Sequence, residues 1–384
     1  MKTSYIAISL VVLALIAGFF LFGTDLIGEQ PQVCFLEPLT PTAADLVYSC
    51  EDLDEANLTQ EDIDHDELVN YSLELINTDR ATYNLNPVVL GTSSLAQEHA
   101  ELNANLCKTT HWDSNGMKPY MRYTKADGKG AVMENTRVIG TPDITKYWTE
   151  ESLKQIIAWN EYSMVERDEA NSWVNSQNIL LEINNYVNIG IAWNSYCISI
   201  VQQFETNYID WKQFPIITHS DQLILSGEVS FNATIEQIDI FFDPTPNNLS
   251  DEQLMFAPNT FNFGHQCTLS ECTSNAMATA TILPNYSKDL TNRALEDLMN
   301  ADSQIPIFVA TEWETVHSED SVSFQIEEDV TQLTNGIGSG VYTIMLWVSV
   351  EGFSDGIVLT LSLIHISRAH ETEADLVCRL LLEK

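Results

Sequence analysis

The sequence is poor in positive charge. Its 384 residues include 17 Lys and Arg against 55 Asp and Glu, which gives a formal net charge of −38. A surface this acidic repels the phosphates of nucleic acids and of anionic membranes. We therefore expect no nucleic-acid partner, and contact with a membrane only through residues 5–23. The expected partner is an extracellular ligand, polymer or protein.

The sequence also lacks the short motifs that mark common catalytic sites. It contains neither the G-x-S-x-G turn of a serine hydrolase nor the H-E-x-x-H pair of a zinc peptidase. The stretch DIDHDE at residues 62–67 imitates the start of a calcium loop, but Glu67 and Leu73 stand where an EF-hand needs Gly and Glu. These absences favour a protein that is not an enzyme, and no catalytic residue is predicted.

One uninterrupted apolar segment stands near the N-terminus. Residues 5–23 form an uncharged run of 19 residues behind Lys2. A cleaved signal peptide has an apolar region of roughly 7–15 residues, whereas a spanning helix needs about 20. We expect residues 1–24 to be an uncleaved membrane anchor, with a cleaved signal peptide and secretion as the alternative. The rest of the chain is then extracellular or at the cell surface, and its five N-x-[ST] sequons are compatible with that location.

The C-terminal residues resemble something other than native coding sequence. Residues 361–384, LSLIHISRAHETEADLVCRLLLEK, resemble the conceptual translation of a sequencing adapter. We therefore expect these residues to be an adapter-derived artefact and the native chain to be truncated near Thr360, and we exclude the tail from fold reasoning. A real amphipathic C-terminal helix is the alternative.

Cysteine is scarce, and its number is even once that tail is set aside. Without Cys378 six cysteines remain, and an oxidising exterior favours disulfides between them. Six cysteines allow 15 sets of pairs. Proximity in the sequence favours the pairs Cys34–Cys50, Cys107–Cys197 and Cys267–Cys272. None of them has the C-x-x-C spacing of a zinc knuckle.

The chain changes character after the apolar segment. Residues 25–64 are rich in proline and acid and are expected to form a linker. Residues 65–207 are predicted to form an α/β domain, in which Asp66 and Thr149 cap the first and third helices and residues 109–148 form a loop. Hydrophobic periodicity places its elements as follows: helices at about 66–84, 93–108 and 150–168, and a hairpin of strands at 186–193 and 196–205.

Short β-rich runs separated by turn residues recur from about residue 209. Val322, Phe324 and Ile326 alternate with polar neighbours, as expected for a half-buried strand. The spacing of the runs predicts an immunoglobulin-like β-sandwich over residues 209–360, interrupted by a small helix at about 288–300. The predicted strands lie within 222–231, 236–242, 276–283, 305–313, 321–328 and 340–350.

A series of motifs in residues 66–206 resembles the CAP superfamily. In order, the motifs are LVNYSLELINTDRATYNLNPVVL, SSLAQEHAELNA, HWDSNGMKPYMRY, AVMEN and NSWVNSQNILLEINNYVNIGIAW. This superfamily contains the sperm-coating, cysteine-rich secretory, antigen-5 and pathogenesis-related proteins, and the present version is most similar to archaeal members. The resemblance implies an α/β fold of the CAP-type α-β-α sandwich outside the cell, followed here by the all-β immunoglobulin-like sandwich.

The resemblance also gives His111 a context. Many members hold two histidines and two glutamates around a central cavity, and some bind zinc or another divalent ion there. The resemblance implies that His111 and Glu134 are the first histidine and the first glutamate. The other two positions depart from the pattern, because Glu161 stands two residues after Trp159 rather than three, and Asn175 replaces the second histidine. The candidate metal ligands are therefore His111, Glu134 and Glu161, and the candidate cofactor is a divalent metal such as zinc.

Three classes of function remain open. Asparagine is a poor zinc ligand, so the leading hypothesis is non-enzymatic binding or interaction at the cell surface with a degenerate His/Glu cavity. In that case His111 and Glu134 form a hydrogen-bonded pair that pins the loop to the third helix, and His99 is a satisfied core histidine. The first alternative is a metal-assisted, peptidase-like hydrolase that uses His111 and Glu134. The second is a structural cell-envelope module, which strong packing between domains and a closed cavity would indicate.

Overall fold

The structure, a computed structural model, describes residues 63–140, 148–169, 172–264, 268, 278–285, 305–351 and 356–366. Several predictions lie wholly or largely outside the described residues: the anchor at 1–24, the linker at 25–64, the helix at about 288–300, the tail at 361–384, of which only residues 361–366 are described, and the pairs Cys34–Cys50 and Cys267–Cys272. None of the helices in the described part of the chain combines the length and the hydrophobicity of a transmembrane helix.

The first part of the described chain, residues 65–206, is here called the α/β half. Its helices are α1 His65–Thr82, α2 Leu95–Leu106, α3 Pro119–Lys125, α4 Glu150–Glu166 and α5 Val174–Leu180. Its strands are β1 Val89–Leu90, β2 Ala131–Gly140, β3 Tyr186–Trp193 and β4 Cys197–Thr206. The four strands form one sheet in the order β1-β3-β4-β2.

Helices cover both faces of this sheet. On one face α2 packs through small residues, Ala96, Ala100 and Ala104, against Ala192 and Val201. The approach is close because a side chain at Gly190 would meet the backbone of Ala96. On the opposite face α1, α4 and α5 bury a larger aliphatic cluster that includes Leu68, Ile76, Leu153, Ile157, Ile179, Val187, Ile198, Ile200 and Phe204. The α/β half is thus three layers deep.

The three predicted helices and the predicted hairpin of the α/β half are confirmed to within a few residues. The predicted cap of α1 was wrong, because the Asp64 carboxylate, rather than Asp66, accepts from the first backbone N–H groups. Thr149 caps α4 as predicted, through a reciprocal bond with Ser152. The predicted loop over residues 109–148 contains α3 and β2, and α5 was also not predicted.

The second part, from residue 209 to 366, is here called the β half. Its strands are β5 Ile209–Ile217, β6 Gln222–Val229, β7 Thr234–Asp243, β8 Ala280–Leu283, β9 Ile307–Val309, β10 Glu312–His317, β11 Val322–Asp329, β12 Gly340–Ser349 and β13 Ile357–Ile366. Two short helices are α6 Asp251–Met255 and α7 Thr331–Ile337. The sheets run β10-β11-β6-β5 and β13-β12-β7-β8-β9.

The two sheets of the β half share one hydrophobic core. Leu225 and Ile326 come from the four-stranded sheet, and Ile240, Ile344 and Leu346 come from the five-stranded sheet. The β-rich runs predicted in the described residues all contain strands, whereas β5, β13, α6 and α7 were not predicted. Among the described residues the chain is therefore a mixed α/β protein with three sheets and seven helices.

The two halves pack against each other within one unit that begins at Gln60. A hydrophobic cluster joins Tyr120 and Val132 of the α/β half to Phe241 and Met345 of the β half. Beside it, the side chain of Lys118 reaches a carboxylate that ends β7. The site in the α/β half is therefore built next to residues of the β half.

Candidate functional site

His111 lies in the loop that follows α2. The helix ends at Cys107, which adopts a left-handed backbone conformation and is joined by a disulfide to Cys197 at the start of β4. This pair was predicted, and it ties the end of α2 to the central sheet. The chain then returns over the sheet, which places the His111 side chain against β2 rather than in solvent.

His111 and Glu134 form the buried pair that the sequence suggested. The Nδ1 of His111 lies 2.8 Å from Oε1 of Glu134, and both side chains are buried. Glu134 lies on β2, so the pair pins the loop to the sheet, and the expectation that it would pin the loop to the third helix was wrong. Strand register places Glu134 directly opposite Gln203 of β4.

The other carboxylate oxygen of Glu134 is held by two further donors. The guanidinium of Arg122 and the amide of Gln203 each donate to Oε2 at 2.7 Å. Arg122 also donates to the backbone oxygen of His111 at 2.7 Å, so it braces both members of the pair. Burial alone would raise the pKa of Glu134, but the charge of Arg122, the nearby imidazole of His99 and the hydrogen bond from His111 together outweigh burial and hold that pKa well below its usual range.

His99 is the core histidine that the helical pattern predicted. It is almost fully buried on α2, and its Nε2 lies 2.6 Å from the carbonyl of Thr110. Burial, followed by the nearby charge of Arg122, lowers the pKa of His99 to about 3. The imidazole is therefore neutral at ordinary pH, and it donates its Nε2 proton to Thr110.

Glu161 does not reach the pair. Its carboxylate accepts a hydrogen bond from Gln202, whereas Glu134 accepts from Gln203. Because successive residues of a strand point to opposite faces of the sheet, Gln202 and Gln203 direct the two glutamates to opposite faces. Burial, and then the charge of Asp79, raises the pKa of Glu161 to about 8. The three predicted ligands therefore do not converge.

Asn175, which stands where the resemblance to CAP proteins implies a second histidine, makes structural contacts instead. Its side chain and its backbone N–H both donate to the carboxylate of Asp168, which thereby holds the first turn of α5. Its carbonyl accepts from Asn135, the neighbour of Glu134 on β2. Asn135 faces away from Glu134, so residue 175 lies on the side of the sheet where Glu161 lies.

The residues present do not fit a resident divalent metal ion. Structural and catalytic zinc sites use three or four protein ligands. Among the described residues no group of three or more His, Cys, Asp or Glu side chains is arranged to hold a metal. The guanidinium of Arg122 lies at the position beside Glu134 that a bound metal ion would have to occupy.

Sequence reasoning missed Arg122, Gln203 and Phe261. Arg122 lies on an unpredicted helix, and Gln203 is an ordinary residue of a predicted strand, so neither carried a local signal. Phe261 comes from the β half, and its ring centroid lies 4.9 Å from that of His111. No sequence pattern within residues 65–207 indicates that a residue from outside that range packs over His111.

The comparisons with known proteins are sparse. No family model and no curated protein matches the chain. Among solved structures, the chain is similar to the CAP domain of Enterococcal PrgA, with 16% sequence identity and a TM-score of 0.27. The similarity covers 38% of this chain and 64% of the neighbour, so the chain spans less than two thirds of the neighbour's length. A likeness of this size carries no argument about function.

Proposed function

We propose that the chain is a non-enzymatic binding or interaction protein that acts outside the cell. Residues 65–207 then form a CAP-type domain, and residues 209–360 form an immunoglobulin-like sandwich that supports it. The motif resemblance supports the class, and the apolar run at 5–23 supports the location. The Cys107–Cys197 disulfide is also what an oxidising compartment would maintain.

One observation carries the proposal: the carboxylate of Glu134 is already occupied by protein donors. His111, Arg122 and Gln203 all donate to it. A divalent ion would have to displace Arg122 or share the carboxylate with its positive charge. The pair is therefore better suited to locking a loop than to activating a water molecule, which requires an open and firmly held ion.

The test is the zinc content and zinc affinity of the full chain. The full chain is needed because Phe261 of the β half contacts His111 and Asp243 of the β half pairs with Lys118. We expect the purified parent to hold no stoichiometric zinc and to bind none in a calorimetric titration with zinc chloride. One equivalent of zinc that His111→Ala removes would overturn the proposal and favour the metal-assisted hydrolase.

Two variants sharpen the test. Asn175→His is expected to leave the chain without zinc, because residue 175 lies on the face of the sheet opposite to Glu134. Arg122→Met removes the competing cation, so any zinc affinity that it creates would identify Arg122 as the group that excludes the metal. Zinc binding to Asn175→His alone would contradict the assignment of faces.

A structural role in the cell envelope is the second candidate. The observation that favours it is the contact between the halves, where Lys118 and Tyr120 both bond to the buried carboxylate of Asp243. Co-sedimentation of the full chain with purified envelope polymers distinguishes the two candidates. Saturable binding to one polymer supports a binding protein. If the chain binds none of the polymers, and if its stability is the same with and without them, the result supports a structural module.

A further inference from the structure

A segment of the β half lies across the loop that carries His111. It comprises residues 244–264, between the end of β7 and Gly264, and is here called the strap. Its base is fixed by Lys118, whose ammonium lies 2.7 Å from Oδ1 of Asp243 and donates to the carbonyls of Asn262 and Gly264. These groups are buried, so the base of the strap is anchored firmly.

The middle of the strap follows the loop closely. The backbone N–H of Leu249 donates to the carbonyl of Ser114 at 2.8 Å. Gly116 has a φ of +73°, and a Cβ atom there would clash with the carbonyl oxygen of Asn247. Glycine is therefore required at residue 116 both by the backbone conformation and by the passage of the strap.

Apolar side chains of the strap cover the site. Leu254 and Ala257 bury the indole of Trp112, the neighbour of His111. Phe261 packs against the imidazole of His111 in a tilted arrangement with a centroid separation of 4.9 Å, and it also contacts Tyr120. A molecule from solution that approaches His111 on this side meets Phe261 first.

The contacts of the strap are unequal in strength. Its base carries a buried ion pair, whereas its middle shares a single backbone hydrogen bond with the loop among the described residues. Its outer side leaves Met255 and Phe256 in solvent, with Phe256 80% exposed. Segments held by few backbone hydrogen bonds open at a lower free energy than sheets do.

We propose that the strap opens and closes over His111 while the central sheet stays folded, so that it controls the access of solutes to the His111–Glu134 pair. The hinge lies at the Lys118–Asp243 pair, and the opening breaks the contacts of Leu249, Leu254 and Phe261. This device does not depend on whether the pair binds a metal or a ligand.

The first test compares amide hydrogen exchange in the unmodified full chain. We expect the amide of Leu249 to exchange at least about a hundredfold faster than the amides of β4, because the strap opens without the sheet. Exchange of Leu249 at the rate of the β4 amides would overturn the proposal, since the strap would then open only when the whole unit unfolds.

The second test measures the acylation of individual histidines by diethyl pyrocarbonate, followed by mass spectrometry. In the parent, His111 is expected to react faster than His99, which is more deeply buried, on α2, and is not covered by the strap. Phe261→Ala is expected to raise the rate at His111 by up to about tenfold, the range of a lost aromatic contact. The control Phe256→Ala alters the same segment at an exposed position and is expected to leave that rate unchanged.

Two results of the acylation test would overturn the proposal. One is reaction of His111 and His99 at the same rate, which indicates global unfolding. The other is an unchanged rate at His111 in a folded Phe261→Ala variant. If Phe261→Ala does not fold, Phe261→Leu keeps most of the apolar contact, and the exchange comparison in the parent decides the question without any substitution.

Discussion

The guanidinium of Arg122 lies 2.7 Å from Oε2 of Glu134, so a cation of the chain itself neutralises the buried carboxylate. Both side chains are almost fully removed from solvent. An ion pair in this position gains little over an apolar pair of the same shape, but either partner alone is costly to bury. The relationship therefore predicts a specific pattern of stability in single and double variants.

Removing one member of this pair should destabilise the chain more than removing both. We expect Arg122→Met to lower the free energy of unfolding by about 3–5 kcal/mol, because it leaves the Glu134 charge without its partner. The double variant with Glu134→Gln should recover part of that loss. Urea unfolding of the parent, both single variants and the double variant measures the coupling. The matched control is Lys125→Met, an exposed cation on the same helix; losses that simply add would contradict the prediction.

Glu161 should make the stability of the chain depend on pH above neutrality. Its folded pKa of about 8 lies above its ordinary value of 4.5, so between those limits the folded state holds a proton that the unfolded state has lost. Stability therefore falls as pH rises from about 4.5 to 8. Glu161→Gln removes this dependence, and the gain of the variant over the parent should grow with pH to on the order of a few kcal/mol.

The window from pH 6.5 to 8 isolates this effect. Asp79 has a folded pKa of about 6, raised by burial and then by Glu166, and its own contribution falls between about pH 4 and 6. His99, whose pKa is lowered to about 3, has the opposite effect, because its contribution to stability rises as the pH rises from about 3 to 6.5. Denaturant unfolding at several pH values measures this effect. In Glu161→Gln the free energy of unfolding should no longer fall with pH above pH 6.5, whereas in the control Asp79→Asn most of that fall should remain. A parent whose stability is flat over that window would refute the prediction.

Arg80 should be among the most important side chains for the stability of the α/β half. It is completely buried, and its guanidinium donates to five backbone carbonyls, those of Asn86, Ile179, Leu181, Glu182 and Asn184. Burial is also the main cause of its lowered pKa. No carboxylate is needed, because the carbonyls at the end of α5 and in the turn after it supply the negative ends of dipoles.

Substitution of Arg80 separates its charge from its geometry. Arg80→Met leaves these carbonyls unpaired and should cost about 3 kcal/mol or more. Arg80→Lys keeps the charge but has no planar fork, so it should lose a large part of the same free energy. Thermal or urea unfolding measures both. A lysine variant as stable as the parent would show that charge alone matters.

The sequence was informative where the signal was local. Periodicity predicted α1, α2 and α4, and β-rich runs predicted β3, β4 and the strands of the β half other than β5 and β13, because these patterns reflect which face of an element is buried. The sequence was also sufficient to predict the hydrogen-bonded pair of His111 and Glu134 and the disulfide between Cys107 and Cys197. In each of these cases the type of residue itself indicates the interaction that it can make, whatever its position in the fold.

The sequence was uninformative about features that depend on how distant segments of the chain pack together. That Glu161 and Glu134 point to opposite faces depends on the register of β2 against β4, which no motif specifies. That Arg122 occupies the place of a cation depends on a helix of seven residues inside a predicted loop. Phe261 approaches His111 from 150 residues further along the chain, a contact that only the packing of the two halves creates.

The outer face of the four-stranded sheet shows where the acidity of the chain costs stability. Glu312 of β10 and Glu327 of β11 lie directly opposite each other, and Asp210 faces Glu228 in the same way on the neighbouring pair of strands. Like charges at such positions repel across about 5 Å. The short distance and the net charge of −38 together predict that screening by salt stabilises the chain.

Glu327→Lys should convert one repulsive pair into an attractive one. We expect the variant to be more stable than the parent by about 0.5–1 kcal/mol at low salt, and the difference to shrink as sodium chloride rises toward 1 M, where the screening length is about 3 Å. The control Glu319→Lys changes the net charge equally but lies in the turn between the two strands, so it measures the contribution of net charge alone. Thermal unfolding at several salt concentrations compares the three chains. Equal gains from Glu327→Lys and Glu319→Lys would assign the effect to the overall charge of the chain and would reject the cross-strand explanation.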